Sequence, residues 1–367
     1  MSPAMAITNE RSDDDVSPQN HQYLNGVKQL YENGLRRVPN KYIFPASDRP
    51  NHNTQHPNLI QLPIIDFSQL KGPNRPRLLH SLSHACEHYG FFQVVNHGIG
   101  EDVMRKMMDV CRRFFDLPFE ERGKYITTDM EAPVRYGTSF SATKDRVLCW
   151  RDFLKLMCHP LPDFLPHWPS SPADLRKLAA TYAQETKYLF LTLMEGILES
   201  LGIVGEETEE LKQLMEDGSH MMMANYYPPC PEPELTLGIP PHSDYGFLTL
   251  LLQDQVEGLQ IQHQAQWLTV QPLPNTFVVN VGDHLEIFSN GKYKSVVHRV
   301  LVNGVKHRIS VASLHSLPFS STVRAWPKLI SETNPKKYKD TGFGDFLDYV
   351  STREHKRKDF LDSRKLY

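Results

Sequence analysis

"PPHSDYGFLTLLLQD", residues 240–254, sets a short polar cluster directly against an apolar run. The run reads as a buried strand and the cluster as its entrance. His242 and Asp244 are two residues apart, so on extended backbone their side chains leave from one face. An imidazole and a carboxylate on one face make half of a metal site. The missing ligand has to come from another strand, and "SVVHRV" (295–300) offers His298, with Val296 and Val300 on its own face.

The surroundings share this β texture. From residue 219, "MMMANYY", "FLTLLL", "LQIQ", "WLTV", "FVVNV", "SVVHRV" and "RISVAS" follow at short intervals, separated by Gly, Pro and Asn. Short strands at close spacing predict a sandwich or barrel, of which a jelly roll is one solution. Asn290–Gly291 carries a hairpin signal. Upstream the pattern is mixed. A helix is expected over 22–35, a strand at "LPIIDF" (62–67), a helix over 75–90 closing near Gly90, and a strand at "FFQVVNH" (91–97). The longest helix is expected to start with Ser171 as cap, Pro172 in the first turn and Asp174 at the third position, and to stop at Gly202. An amphipathic helical tail is expected over roughly 343–366. The divisions are then a disordered lead-in (1–20), a mixed α/β region (21–218), a β core (219–325) and a helical tail (326–367).

Composition narrows the partners. The chain has 367 residues, 40% hydrophobic and 23% charged, with a net charge of −3. That balance gives no electrostatic case for nucleic acid or an anionic membrane. No stretch nears the roughly 20 apolar residues that span a bilayer. Residues 1–20 carry Asp13, Asp14 and Asp15 and lack a secretory signal's pattern, so a cytoplasmic protein is expected. Cys86, Cys111, Cys149, Cys158 and Cys230 show no paired spacing and read as reduced thiols. The basic stretch 353–358 reads as a solvated helix face.

Two further polar pairs change the weight of His242 and Asp244. Arg308 and Ser310 share one face of "RISVAS", and Asn225 and Tyr227 share one face of "NYY". An arginine directed into a β core is costly unless it meets an anion, and its planar fork suits a carboxylate. Two histidines and a carboxylate with open positions are the facial triad of non-haem Fe(II) oxygenases. The same donors serve tetrahedral Zn. The Arg308/Ser310 pair favours iron, because it predicts a carboxylate co-substrate beside the metal.

"HSD", the later His298, and "RIS" resemble the plant 2-oxoglutarate/Fe(II)-dependent dioxygenases. "NYYPPCPEPELTLGIPPHSD", "LPIIDF", "GFFQVVNHGI" and "FFDLPFEERGKY" are similar to the same family's hallmarks. The likeness runs over roughly residues 22–365 and is nearest to the salicylate and flavonoid hydroxylase group of specialised metabolism. Ser243 stands where many relatives have threonine. The resemblance implies an α+β protein with a mainly β core, a double-stranded β-helix or distorted jelly roll. It implies Fe(II) on His242, Asp244 and His298. It implies 2-oxoglutarate held by Arg308, Ser310 and Tyr227 with support from Asn225, O2 as oxidant, and ascorbate as reductant. The expected activity is hydroxylation, desaturation, demethylation or ring closure of a small apolar metabolite such as a phenolic, flavonoid or terpenoid, by a monomer. Tyr136, Phe140, Met223, Phe247 and Leu314 are the expected apolar pocket walls. The alternatives are an Fe(II) oxidase that does not use 2-oxoglutarate and a non-catalytic binding protein on the same scaffold.

Overall fold

The computed structural model describes residues 25–50, 59–139, 145–352 and 357–366. Two β-sheets form its centre. The larger has eight strands, in the order Ile64–Asp66, Phe91–Val95, Phe277–Val281, Leu248–Gln253, Arg308–His315, His220–Tyr227, Asp152–Met157 and Val134–Thr138. The smaller has five, in the order Leu59–Ile60, Gln266–Val270, Leu259–His263, His298–Val300 and Ile239–His242. From residue 239 the chain crosses repeatedly between the sheets: small, large, small, large, small, large. That alternation is the double-stranded β-helix implied by the resemblance.

Period-two alternation gives the large sheet two different faces. On one face Ile309, Val311 and His315 pack with Leu248, Leu250, Val279, Ala224 and Tyr226, all buried. The helix Leu175–Ser200 covers this face. Its Phe190 ring stacks on His315 with centroids 4.5 Å apart, and Tyr182 meets Phe277. The helices Arg75–His88 and Glu101–Phe115 pack on its flank. Truncating Phe190 to alanine there costs about 3–5 kcal/mol. The other face carries the polar pairs and looks toward the small sheet.

Several expectations need correction. The long helix starts at Leu175, not at Pro172. Pro172 only accepts a turn bond from the Leu175 amide, and the Asp174 carboxylate is held by both Nη atoms of Arg113 at 2.9 and 2.8 Å. The end is as expected: Gly202 follows with φ +80°, a conformation other residues rarely take. Asn290 and Gly291 have the positive φ values of a hairpin turn, yet they close the short helix Asp283–Phe288 instead. The Gly291 amide bonds the Glu286 carbonyl, and Asn290 binds the 334–335 backbone with its side chain. The first helix among the described residues is Val27–Glu32, which ends earlier than expected, and residues 1–24 lie outside the described residues.

The tail is two helices, Phe343–Thr352 and Asp359–Ser363, and not one. Between them Arg357 makes a β-bridge to His242, with its amide on the Pro241 carbonyl and its carbonyl receiving the Ser243 amide. Of the basic stretch 353–358, residues 353–356 lie outside the described residues, and Lys358 is not on a solvated face. It donates to the buried Glu286 carboxylate at 2.9 Å and to the Ser295 carbonyl at 2.8 Å. All five cysteines are free and buried. No described helix is long and apolar enough to cross a membrane.

Candidate metal centre

The edge of the small sheet brings the two histidines together. His298 and His242 are cross-strand partners, with ring centroids 4.2 Å apart. Each ring turns Nδ1 to a backbone carbonyl two residues before it: Pro240 at 2.9 Å for His242, Val296 at 3.1 Å for His298. With Nδ1 as donor, the tautomer carries its lone pair on Nε2, the form a metal takes. Both Nε2 atoms lie 3.7 Å from Asp244 Oδ1. The three ligand atoms sit within 4.8 Å of one another, the only such group of three among the described residues.

The large sheet aims the carboxylate. Asp244 Oδ2 accepts from Thr249 Oγ1 at 2.6 Å and Asn280 Nδ2 at 2.8 Å, which leaves Oδ1 for the imidazoles. Burial pushes the Asp244 carboxyl up. The His298 and His242 rings and the two hydrogen bonds outweigh it, so the group is held below the ordinary carboxylate range. Two imidazole nitrogens and one carboxylate oxygen, on one side of a common point, fit Fe(II) as a facial triad.

Register places the second set of residues on this same face. Thr249 pairs with Asn280 and with Leu314; further along, Gln253 pairs with Ser310, Ser310 with Asn225, and Arg308 with Tyr227. Directly paired residues share a face. Arg308 is 2% exposed. Its acceptors are all neutral: Gln253 Oε1 at 2.7 Å, the Val256 carbonyl at 3.2 Å and Ser310 Oγ at 3.4 Å. Its guanidinium lies over the Tyr227 ring, 5.2 Å from the centroid. Burial pushes the Tyr227 phenol up, opposed by the Arg308 and Arg151 charges and a hydrogen bond with Ser310. Two glycines make this packing possible. A Cβ on Gly238 would lie 2.7 Å from the Tyr227 ring, and one on Gly258 would lie 3.0 Å from Arg308 Cδ. A buried cation surrounded by neutral acceptors is a strong anion site.

The expected wall residues divide. Met223 and Leu314 lie on the interior face, across from Ala312 and Met221 respectively. Tyr136 does not. It alternates to the helix side, packs near Phe114 and Phe115, and its hydroxyl meets Arg122 and Asp152. Phe247 packs on His284 and Phe288 and is 1% exposed. Tyr136 belongs to the helix-side core and Phe247 packs against the short helix Asp283–Phe288, each in an aromatic neighbourhood. Phe140 lies outside the described residues.

Sequence reasoning missed Thr249, Asn280 and Gln253. The asparagine inside "FVVNV" and the threonine inside "FLTLLL" were the available signal, each a polar residue in an apolar strand. It also missed Arg135, Arg151 and Lys155, three buried cations on or beside the same face.

Comparison with known proteins agrees with this geometry. The sequence pattern of the 2OG-Fe(II) oxygenase superfamily matches residues 218–316, and that of the non-haem dioxygenase N-terminal region, described from morphine synthesis, matches residues 62–172. Protein DMR6-LIKE OXYGENASE 1 of Arabidopsis thaliana is 41% identical over 89% of this chain and 93% of its own length. Flavanone 3-dioxygenase 2 of Oryza sativa subsp. japonica is 41% identical over 84% of this chain and 89% of its own. The crystal structure of JOX2 in complex with 2OG, Fe and JA superposes with a TM-score of 0.84 at 33% identity, covering 93% of this chain and 98% of that one. A jelly roll that gathers these donors, in a chain this close to those enzymes, belongs to the plant 2-oxoglutarate/Fe(II)-dependent dioxygenases and is an oxidoreductase that uses Fe(II), 2-oxoglutarate and O2.

Proposed function

We propose that His242, Asp244 and His298 bind the Fe(II), and that Arg308, Ser310 and Tyr227 hold the far carboxylate of 2-oxoglutarate with Asn225 in support. The observation that carries this is the pairing of a three-ligand cluster with Arg308, a buried guanidinium whose acceptors are all neutral. A simple Zn hydrolase has no use for that cation. When bound, iron and 2-oxoglutarate supply the oxidative decarboxylation that consumes O2 and yields succinate and carbon dioxide.

The chain's own residues do the positioning. Thr249 and Asn280 orient Asp244, and the Pro240 and Val296 carbonyls orient the two imidazoles. Gln253 and the Val256 carbonyl steer the Arg308 fork so that it meets a carboxylate without rearrangement. Leu251, Ala312, Met223 and Leu314 line the interior face between these groups with half-buried apolar surface. The substrate is a small specialised metabolite of the phenolic, flavonoid or terpenoid kind, and the outcome is hydroxylation, desaturation, demethylation or ring closure.

Succinate release tests the assignment. With Fe(II), ascorbate and 2-oxoglutarate, a panel of phenolics, flavonoids and terpenoids is expected to contain compounds that stimulate it. His242→Ala is expected to abolish it and to weaken metal binding. Equal metal affinity in the two proteins would remove His242 from the ligand set. Turnover without 2-oxoglutarate would instead reveal an oxidase.

A further inference from the structure

The interior face extends well past the metal. One row of cross-strand partners runs Val278, Leu251, Ala312, Met223, Lys155, Arg135. A second runs Gln253, Ser310, Asn225, Phe153, Gly137. The face that carries Asn280 and Thr249 at one end therefore carries Lys155 and Arg135 at the other. Arg151, just before the strand Asp152–Met157, joins them by donating to Asn225 Oδ1 at 3.2 Å.

These three cations are 4%, 7% and 6% exposed for Lys155, Arg135 and Arg151. Lys155 Nζ donates to the Met130 carbonyl at 2.7 Å, and Arg151 Nη2 to the Ser139 carbonyl at 3.0 Å. Arg151 Nε has no partner among the described residues. The Arg135 and Arg151 guanidiniums lie 5.2 and 5.0 Å from the centroid of the Phe153 ring. Burial, then the Arg135 charge, pushes the Lys155 ammonium down to about 8. Burial, then Arg151, lowers Arg135. Arg135 Nε donates to the Thr127 carbonyl at 3.0 Å, and the charges of Asp145, Asp129 and Glu131 work against this lowering. Mutually repelling, desolvated cations are expensive to keep, and an anion delivered among them recovers that cost.

Resting on the reading above, we infer that this cationic shelf receives a carboxylate of the organic substrate, so that the enzyme oxidises an acid. The carboxylate sits on Lys155 and Arg151, and the reacting carbon points back toward the triad. The pocket is thus apolar along Met223, Ala312 and Leu314 and cationic at its far end. The span follows from the sheet. Three strand steps separate the strand of Thr249 from that of Lys155, on the order of 14 Å along the sheet. The lysine ammonium is turned to the Met130 carbonyl and leaves that distance to the ligand, so an elongated two- or three-ring acid fits better than a single-ring one.

The test uses the full chain with Fe(II) and 2-oxoglutarate. Matched pairs of free acid and methyl ester, with one, two or three rings, are compared by substrate-stimulated succinate release. Wild type is expected to prefer the longer acids over their esters by at least tenfold in kcat/KM. Lys155→Met is expected to erase most of that preference, and Lys155→Arg to keep it. Equal turnover of acids and esters, or a preference that Lys155→Met leaves intact, overturns the inference. A second 2-oxoglutarate is the other carboxylate that could occupy the shelf. Inhibition by excess 2-oxoglutarate that Lys155→Met relieves would show this and would also overturn the inference. If wild type neither binds 2-oxoglutarate nor releases succinate, the parent reading fails and takes the inference with it.

Discussion

Asp244 reaches the two imidazoles with one oxygen because its other oxygen is held from behind, and that arrangement sets the price of disturbing it. Asn280→Ala and Thr249→Val each remove one of the two hydrogen bonds on Oδ2. Partners of this kind, which orient a metal ligand, are worth roughly 10- to 100-fold in metal affinity. That is about 1.4–2.7 kcal/mol. The hydroxyl bond is 2.6 Å and the amide bond 2.8 Å, each slightly short for its donor type. Thr249→Val and Asn280→Ala are therefore expected to cost comparable affinity. Either bond alone still restrains the carboxylate, and losing both frees it to rotate. The double variant should then lose more affinity than the product of the single losses. Anaerobic calorimetric titration with Mn(II) or Co(II), which resist oxidation, reads the affinities directly, with Tm of the metal-free proteins as the control for folding. Three variants within twofold of wild type, beside a His242→Ala that no longer binds, would refute the claim that Asp244 is aimed from the large sheet.

The other predictions concern the co-substrate and pH. Arg308→Lys replaces a planar fork by a point charge and loses the contacts to Gln253 and Val256, so the KM for 2-oxoglutarate should rise at least about tenfold with kcat less affected. Gly238→Ala and Gly258→Ala should weaken 2-oxoglutarate binding by crowding Tyr227 and Arg308 while metal affinity holds, a split that paired titrations resolve. His220, His284 and His315 are held neutral by burial, so only the unfolded chain takes up their protons below about pH 6.5. Their contribution is present above that pH and lost as pH falls. Asp152, pushed up to about 6 by burial, and Asp283, pushed up to about 7, oppose it, because the folded chain holds their protons up to those pH values. His315→Phe, which keeps the stack on Phe190, should therefore lose less Tm between pH 7 and 5 than wild type does.

His242 with Asp244 and the two polar pairs proposed for the co-substrate were legible because period two is a local rule, whereas His298 joins them only through register. His242 with Asp244, Arg308 with Ser310, and Asn225 with Tyr227 can each be assigned to a shared face without knowing any neighbour. Thr249, Asn280, Lys155 and Arg135 could not be placed that way. Their meaning comes from register across strands far apart in the chain, such as Arg135 with Lys155 and Lys155 with Met223. Tyr136 was misassigned as a wall for the same reason, since a family layout locates a residue along a strand more reliably than it locates a side chain between two packed faces. The helix start failed differently. Asp174 had a tertiary partner in Arg113, and a bidentate ion pair took the carboxylate from the local cap.

The strand Arg308–His315 pairs with His220–Tyr227 across all eight positions, from Arg308 with Tyr227 to His315 with His220. It behaves like a reading frame. Odd and even positions serve different masters: one set, with Arg308 and Ser310, lies on the face of the metal cluster and is proposed to hold the co-substrate, the other fills the core beneath the long helix. A substitution edits one letter, and the pocket can drift from one metabolite to another while the fold stays intact. Inserting or deleting one residue within the strand shifts the frame, sending the Arg308 guanidinium into the helix core and an isoleucine toward the co-substrate. Length variation is then tolerated in the connecting loop 301–307 but not inside the strand, and new chemistry on this scaffold is reached by point changes alone.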